Sequence, residues 1–164
     1  MPPSPASTRP SFQAVQPSRI SAFEGLVRAL TAWCNEAQVP PQTVSRLVLV
    51  LDELFTNIVV HGYREDPHGE IVVQAQVRDG AVDVTLTDHA PAFNPLLVPE
   101  TDTTLSLEAR PLGGLGLLFV RNTSDELRYQ LLTDAPQAKN WLQFTLKFGA
   151  GGNQLRDHAL ARPR

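Results

Sequence analysis

The chain has 164 residues, of which 42% are hydrophobic and 19% are charged. This length and composition are typical of one globular domain with a single core. The formal net charge is −3, and no cluster of Lys and Arg is dense enough to cover a phosphate backbone, so direct nucleic-acid binding is not expected. The single cysteine excludes an intramolecular disulfide framework, and no paired Cys and His spacing predicts a zinc site.

Both ends of the chain differ in composition from its middle. Proline and serine crowd residues 2–18, and residues 149–164 are poor in core-forming side chains. We therefore expect a disordered tail at 1–11, a domain at 12–148 that starts with a short strand near Phe12 to Val15, and a flexible tail at 149–164. No apolar run is long enough for a signal peptide or a membrane span, which predicts a cytoplasmic protein without membrane contact.

Two helices are predicted next. Apolar residues recur at three- and four-residue steps between Ile20 and Ala37, which indicates an amphipathic helix. Pro40 and Pro41 then interrupt the chain, and "PQTVSRLVLVLDELFTNIVVHG" predicts a longer, more apolar helix that ends at Gly62.

The second helix carries polar residues where a buried helix tolerates few. Glu53, Asn57 and His61 are spaced i, i+4 and i+8, so they share one stripe of an α-helix. A solvated stripe is one interpretation, but the flanking positions are apolar almost all round, and polar groups on a buried helix need a metal, a ligand or a pocket. A base at Glu53 and a Mg²⁺ ligand at Asn57 would suit phosphate chemistry. His61 either joins this ligand face or caps and packs the carboxyl end of the helix, and capping is the preferred interpretation.

Strands follow the helices. "EIVVQAQVRDGAVDVTLTD" alternates apolar and polar residues around Asp79-Gly80, which predicts a hairpin. A further strand is predicted at Glu126 to Leu132, and "NWLQFTLKF" supplies a last one. Together with a short helix after the glycines these elements predict an α+β two-layer sandwich, with a mixed, mostly antiparallel sheet covered on one face by helices. The remaining large or charged side chains are interpreted as core or interface aromatics (Trp33, Trp141) and as solvated charges (Arg121, Lys147).

Two later motifs could bind a nucleotide. Asp88 lies where the second hairpin strand ends, and a carboxylate there can accept a hydrogen bond from an exocyclic amine such as that of adenine, although a plain turn aspartate explains it equally well. "PLGGLGL" from Pro111 to Leu117 places glycines before a helical pattern, where backbone N–H groups can approach phosphates, although a flexible turn is an alternative. The long loop before it is expected to be functional, and Arg110 is either a phosphate-binding side chain or a surface arginine.

The order of these motifs resembles the histidine-kinase-like ATPase (Bergerat) fold, and most closely the stand-alone anti-sigma-factor serine kinases that partner STAS-domain proteins. "ELFTNIVVHGY" is similar to the family's N-box, and "DELRY" to its strand with Asp125 and Tyr129. The resemblance implies ATP and Mg²⁺ as cofactors, Glu53 as general base and Asn57 as the metal ligand. It implies a nucleotide site formed by Asn57, Asp88, Ala90, Phe93, Arg110, Gly113, Gly114, Leu115, Gly116 and Leu117.

Two residues depart from the family pattern. Ala90 stands where the family's D-x-G has glycine, so an added methyl could crowd the base. Asn94 replaces the aspartate of F-D-P but keeps a turn-forming side chain.

The resemblance implies a protein kinase that phosphorylates a STAS-domain anti-anti-sigma protein. It also raises a sigma factor as a second partner and a homodimer, and leaves both open. A nucleotide-binding switch without kinase activity and a simple ATP hydrolase are the alternatives, and the presence of Glu53 argues against a pure binder.

Overall fold

The computed structural model describes residues 11–98, 114–134 and 136–148. The predicted tails lie largely outside these ranges, and their boundaries stay a prediction. No helix among the described residues is long and apolar enough to cross a membrane. The helices and strands, in chain order, are β1 (Ser11–Pro17), α1 (Phe23–Glu36), α2 (Pro41–Asn57), β2 (Glu70–Arg78), β3 (Ala81–Asp88), α3 (Gly114–Thr123), β4 (Glu126–Leu132) and β5 (Lys139–Lys147).

The strands form one sheet in the order β1-β2-β3-β5-β4. Every pairing among the described strands is antiparallel, with Ala14 opposite Val73 and Val84 opposite Phe144. The Asp79-Gly80 turn joins β2 and β3 as predicted, with Gly80 at a φ of 69°. The α+β fold predicted from the sequence is therefore confirmed.

The core lies between the helices and one face of the sheet. Alternate residues of each strand point to opposite faces, so every second side chain of β2, β3 and β5 packs inward. Phe55 of α2 and Phe144 of β5 are fully buried, and the Phe23 ring lies 5.4 Å from the Phe55 ring. Each such side chain contributes about 1.5–3 kcal/mol to folding. Trp33 packs against Phe12 with ring centroids 5.9 Å apart, as expected for a core aromatic.

The second helix changes its winding before it ends. The sequence predicts one helix through Gly62, but α2 ends at Asn57 and continues as a π-helical segment from Ile58 to Gly62. The Tyr63 N–H donates to Ile58 O at 2.8 Å, which is an i to i−5 bond. A π turn holds more residues than an α turn, so His61 leaves the stripe of Glu53 and Asn57; such segments are frequent at functional sites.

Two arginines tie α3 to the rest of the domain. Arg46 of α2 donates to Thr123 O at 2.6 Å, at the carboxyl end of α3, where a cation is favoured. It also lies 3.5 Å from Asp125, whose carboxylate accepts from the Lys147 N–H at 2.8 Å. Asp125 of the "DELRY" motif therefore connects α2 with β5 and has a structural role in the fold.

The prediction of a solvated Arg121 is wrong. Its guanidinium donates to Pro95 O and to Val98 O, each at 2.6 Å, and so binds the segment that follows β3 to α3. Sequence periodicity places Arg121 on α3 but gives no sign of carbonyl oxygens about 25 residues earlier. Lys147 is exposed, as predicted.

Candidate functional site

A cavity of about 190 Å³ lies where the end of α2 meets the end of β3. One water molecule needs only about 10–15 Å³ of such volume, so the space fits a small organic molecule rather than a single water. Its wall is largely apolar, with a few polar groups converging on it, as is typical of ligand sites. The lining includes Asn57, His61, Gly62, Asp88, Ala90, Phe93, Leu117, Asn140 and Leu142.

Asp88 is the buried carboxylate of this cavity. Asp88 is the last residue of β3, and it is 4% exposed. Oδ1 accepts from the Ala90 N–H at 2.9 Å and from Asn140 Nδ2 at 2.9 Å. Burial raises the pKa of Asp88, while these two hydrogen bonds oppose the rise. Since no hydrogen bond from the described residues reaches Oδ2, this oxygen can accept one from a ligand.

Asn140 is a residue of the site that the sequence prediction missed. It lies in β5, and its partner Asp88 is 52 residues away in the chain. No short motif marks such a contact. One signal was present: Asn140 shares the inward face of β5 with Leu142, Phe144 and Leu146, where an amide needs hydrogen-bond partners.

Ala90 fits the cavity wall because of Gly62. A Cβ placed on Gly62 would lie 3.0 Å from the Ala90 Cβ, so the glycine leaves the room that this methyl occupies. The methyl thus packs against the π-helical segment. The second departure from the family pattern is equally well accommodated, since Asn94 Oδ1 accepts from the Leu96 N–H at 2.9 Å and caps a short helical turn.

Glu53 lies beside the first turn of α3. A Cβ on Gly116 would lie 2.9 Å from Glu53 Cδ and would overlap its carboxylate, so this glycine makes room for the acid. Anions are favoured at helix N-termini, where backbone N–H groups lack intrahelical partners. Gly114 begins this helix, Leu117 is buried and Leu115 is 43% exposed.

Asn57 carries a polar atom without a partner. Its Nδ2 is buried and makes no hydrogen bond with the described residues. The two ends of a carboxamide are assigned from their surroundings, so this buried atom is either a donor or the oxygen that a hard cation prefers. No group of three His, Cys, Asp or Glu side chains among the described residues could hold a metal alone. A cation at Asn57 would therefore need further ligands from a bound phosphate.

The structure brings most of the predicted site residues together. Asn57, Asp88, Ala90, Phe93 and Leu117 line one cavity. Glu53 and Gly116 contact each other beside it. His61 is exposed at the rim, and Phe93 is 47% exposed. Arg110 and Gly113 lie outside the described residues, so their predicted roles stay predictions.

Comparison with known proteins shows the family and the fold of this chain. The family described as "Histidine kinase-like ATPase domain" matches residues 17–146. The Anti-sigma F factor of Geobacillus stearothermophilus is 30% identical over 96 residues, which cover 56% of this chain and 64% of that protein. The Anti-sigma F factor of Shouchella clausii is 24% identical over 113 residues, which cover 68% of this chain and 77% of that protein.

Two solved structures share the fold. The RsbU and RsbW domains of Rv1364c from Mycobacterium tuberculosis match with a TM-score of 0.59 and 20% identity, over 85% of this chain and 32% of that one. The SiaB-SiaC complex from Pseudomonas aeruginosa matches with a TM-score of 0.58 and 18% identity, over 82% of this chain and 88% of that one. The family match covers most of the chain, and the resemblance seen in the sequence is confirmed: this chain belongs to the histidine kinase-like ATPase domain family.

Proposed function

We propose that the protein is a Mg-ATP-dependent serine/threonine protein kinase and anti-sigma regulatory factor that phosphorylates a STAS-domain anti-anti-sigma protein. The observation that carries this proposal is the position of Glu53. Its carboxylate lies beside the first turn of α3, and Asn57 follows one helical turn later on the same face of α2. A base, a metal-binding oxygen and a helix N-terminus are the minimum parts for transfer of a phosphoryl group.

Each side chain has a separate task in this proposal. Asp88 accepts a hydrogen bond from the exocyclic amine of adenine, and the cavity wall with Ala90 and Phe93 encloses the base. Asn57 holds Mg²⁺, and Gly113, Gly114 and Gly116 let backbone N–H groups of the α3 turn approach the phosphates. Arg110 binds the terminal phosphates. Bound Mg-ATP supplies the transferable phosphoryl group and the charge that neutralises it.

Glu53 would act on the acceptor hydroxyl. A carboxylate that is half-buried and next to a helix N-terminus can take the proton of a serine as that oxygen attacks. A neighbouring carboxylate, Asp52, is exposed on α2 and lies off this face. It provides a matched control for any test of the base.

The proposed partners follow from the relatives. Several relatives bear the name Anti-sigma F factor, and SiaB was solved in a complex with SiaC. A STAS-domain protein is accordingly the proposed phosphate acceptor, and a sigma factor and a second copy of this chain are proposed as further partners. A cytoplasmic location is also part of this proposal, because the proposed reaction uses cellular ATP for transcriptional control.

One experiment separates this function from its alternatives. The purified protein is incubated with γ-labelled ATP and Mg²⁺, with and without a STAS-domain protein from the same organism. Label transferred to the STAS protein supports the kinase. Free labelled phosphate without transfer would indicate a hydrolase, and tight ATP binding without either product would indicate a nucleotide-dependent binding switch.

A further inference from the structure

Asn140 makes more side-chain hydrogen bonds than a strand residue needs for folding. Its Nδ2 lies 2.9 Å from Asp88 Oδ1 and 3.0 Å from Ala90 O. Its Oδ1 accepts from the Tyr129 hydroxyl at 2.7 Å and from the Phe93 N–H at 3.3 Å. Asn140 is 6% exposed, so these bonds form out of contact with bulk water. One side chain therefore connects the carboxylate to two parts of the cavity wall, Ala90 and Phe93, and to Tyr129 of β4.

The orientation of this amide is fixed by its neighbours. Asp88 and the Ala90 carbonyl only accept hydrogen bonds at this point, and the Phe93 N–H only donates. The NH₂ group must therefore face Asp88, and the oxygen must face Phe93. The Tyr129 hydroxyl can donate or accept, so it fits this orientation and donates to the same oxygen.

The Asn140 amide determines which oxygen of Asp88 can accept a hydrogen bond from a ligand. Both the Ala90 N–H and the Asn140 NH₂ group donate to Oδ1, which holds the carboxylate plane in place. Oδ2 is left as the acceptor. The same amide fixes the backbone from Ala90 to Phe93, which forms one wall of the cavity.

We propose that Asn140 is the positioning residue for nucleobase recognition in this protein: it fixes Asp88 as an acceptor of an exocyclic amine and holds the adjoining wall from Ala90 to Phe93, and Tyr129 donates a hydrogen bond to it. The adenine part of this inference rests on the proposed function. The positioning of Asp88 is a property of the free protein and is tested separately.

The groups that face Asp88 are few in the described part of the chain. His89 follows it in the chain, with its N–H donating to the Tyr63 hydroxyl at 2.9 Å and its Nδ1 lying 3.1 Å from Ala138 O. Burial raises the pKa of the Tyr63 and Tyr129 hydroxyls, so both stay neutral near pH 7. His61 lies across the cavity.

The experiment compares four proteins: wild type, Asn140→Ala, Tyr129→Phe and the control Gln143→Ala. Gln143 is on the same strand but on the other face of the sheet, where its amide donates to Thr85 Oγ1 at 3.3 Å. Two readouts are taken: the pKa of Asp88 by carboxyl NMR without nucleotide, and the dissociation constants for ATP and GTP by calorimetry.

If Asn140 positions Asp88, Asn140→Ala raises the pKa of Asp88 further, because a hydrogen bond to the ionised form is lost. It also weakens ATP about 10-fold or more and reduces the preference for ATP over GTP. Tyr129→Phe has a smaller effect of the same sign. Gln143→Ala changes folding stability but neither readout.

Equal behaviour of Asn140→Ala and Gln143→Ala would overturn the inference. A wild-type protein that binds no ATP would refute the proposed function and the nucleobase part of the inference together. In that case the pKa of Asp88 still decides whether Asn140 positions the carboxylate.

Discussion

The two ends of the site are built differently. At the Asp88 end, the carboxylate, Asn140 and the backbone from Ala90 to Phe93 satisfy one another through hydrogen bonds. At the Asn57 end, Nδ2 is buried without a partner in the described residues, and Glu53 lies against a glycine. The described residues thus pair the polar atoms at the Asp88 end with one another, but they leave a buried polar atom unpaired at the Asn57 end.

The two ends therefore differ in how they would contribute to the free energy of ligand binding. A preformed set of hydrogen bonds holds its acceptor in place without further loss of conformational freedom on binding, which favours selective recognition. An unpartnered amide costs about 1–3 kcal/mol in the free protein, and a ligand that satisfies it recovers this cost. We therefore expect Asn57→Ala to raise folding stability and Asn140→Ala, which removes a satisfied buried amide, to lower it.

Replacing the base should give the largest effect. Glu53→Gln keeps the shape of the side chain but removes its ability to accept a proton, so phosphoryl transfer should fall about 10²- to 10⁴-fold while ATP affinity changes little. Steady-state transfer to the STAS protein and calorimetry measure the two quantities. Asp52→Asn is the control and should leave both unchanged; equal losses of transfer and affinity in Glu53→Gln would mean that Glu53 is structural.

Asn57→Ala tests the Asn57 end of the site. Loss of the proposed metal ligand should remove the Mg²⁺-dependent part of ATP affinity, by about 100-fold. The free protein should be more stable by about 0.5–2 kcal/mol, because a buried unsatisfied amide is removed and alanine favours a helix. Calorimetry with and without Mg²⁺ and denaturant unfolding test this pair of effects. An unchanged dissociation constant for Mg-ATP contradicts the metal assignment.

Asp88→Asn tests the Asp88 end of the site. The asparagine oxygen can still accept from the Ala90 N–H and Asn140, but its NH₂ group would face the ligand, so ATP should bind about 10- to 150-fold more weakly. Calorimetric titration of the variant beside wild type checks the loss. If the affinity is retained, Asp88 does not contact the base.

The same variant gives a pH prediction. Because the pKa of Asp88 is raised in the folded protein, the native state binds more protons than the unfolded state between the two pKa values. Stability from this group is thus highest at low pH and falls as pH rises through the folded pKa. Unfolding measured from pH 4 to pH 8 should show this decline in wild type, and Asp88→Asn should lack it.

Two glycine-to-alanine substitutions form a matched pair, and we expect them to have the smallest effects. Alanine at Gly25 in α1 would meet no atom within 4 Å, so Gly25→Ala should stabilise the fold by about 0.4–1 kcal/mol without affecting activity. Gly116→Ala makes the same chemical change in α3, but its methyl would displace the Glu53 carboxylate and reduce transfer. Thermal unfolding and transfer assays on both variants check this; equal activities would show that Glu53 has room to move.

Much of the fold follows from local pattern. The hairpin around Asp79-Gly80 and the helices are set by residues close in sequence, and the structure confirms them. The π-helical segment was missed because the apolar pattern up to Gly62 fits an α-helix, and nothing local shows that the Tyr63 N–H would reach Ile58 O.

The site was predicted unevenly for the same reason. Asp88 and Asn57 belong to short motifs that stay recognisable out of context. Asn140 and Arg121 act on atoms far away in the chain, and the charge or amide alone gives no indication of its partner. Long-range hydrogen bonds of this kind are determined by the sheet order, which places β5 next to β3.

Gly62 and Ala90 together hold space for one methyl group. Substitutions at these two positions are therefore not independent of each other. With alanine at 90, a methyl at position 62 would meet the Ala90 Cβ at 3.0 Å, so one of the two would have to shift by a few tenths of an ångström. With glycine at 90 this contact would be absent, so the effect of a substitution at one position depends on the residue at the other.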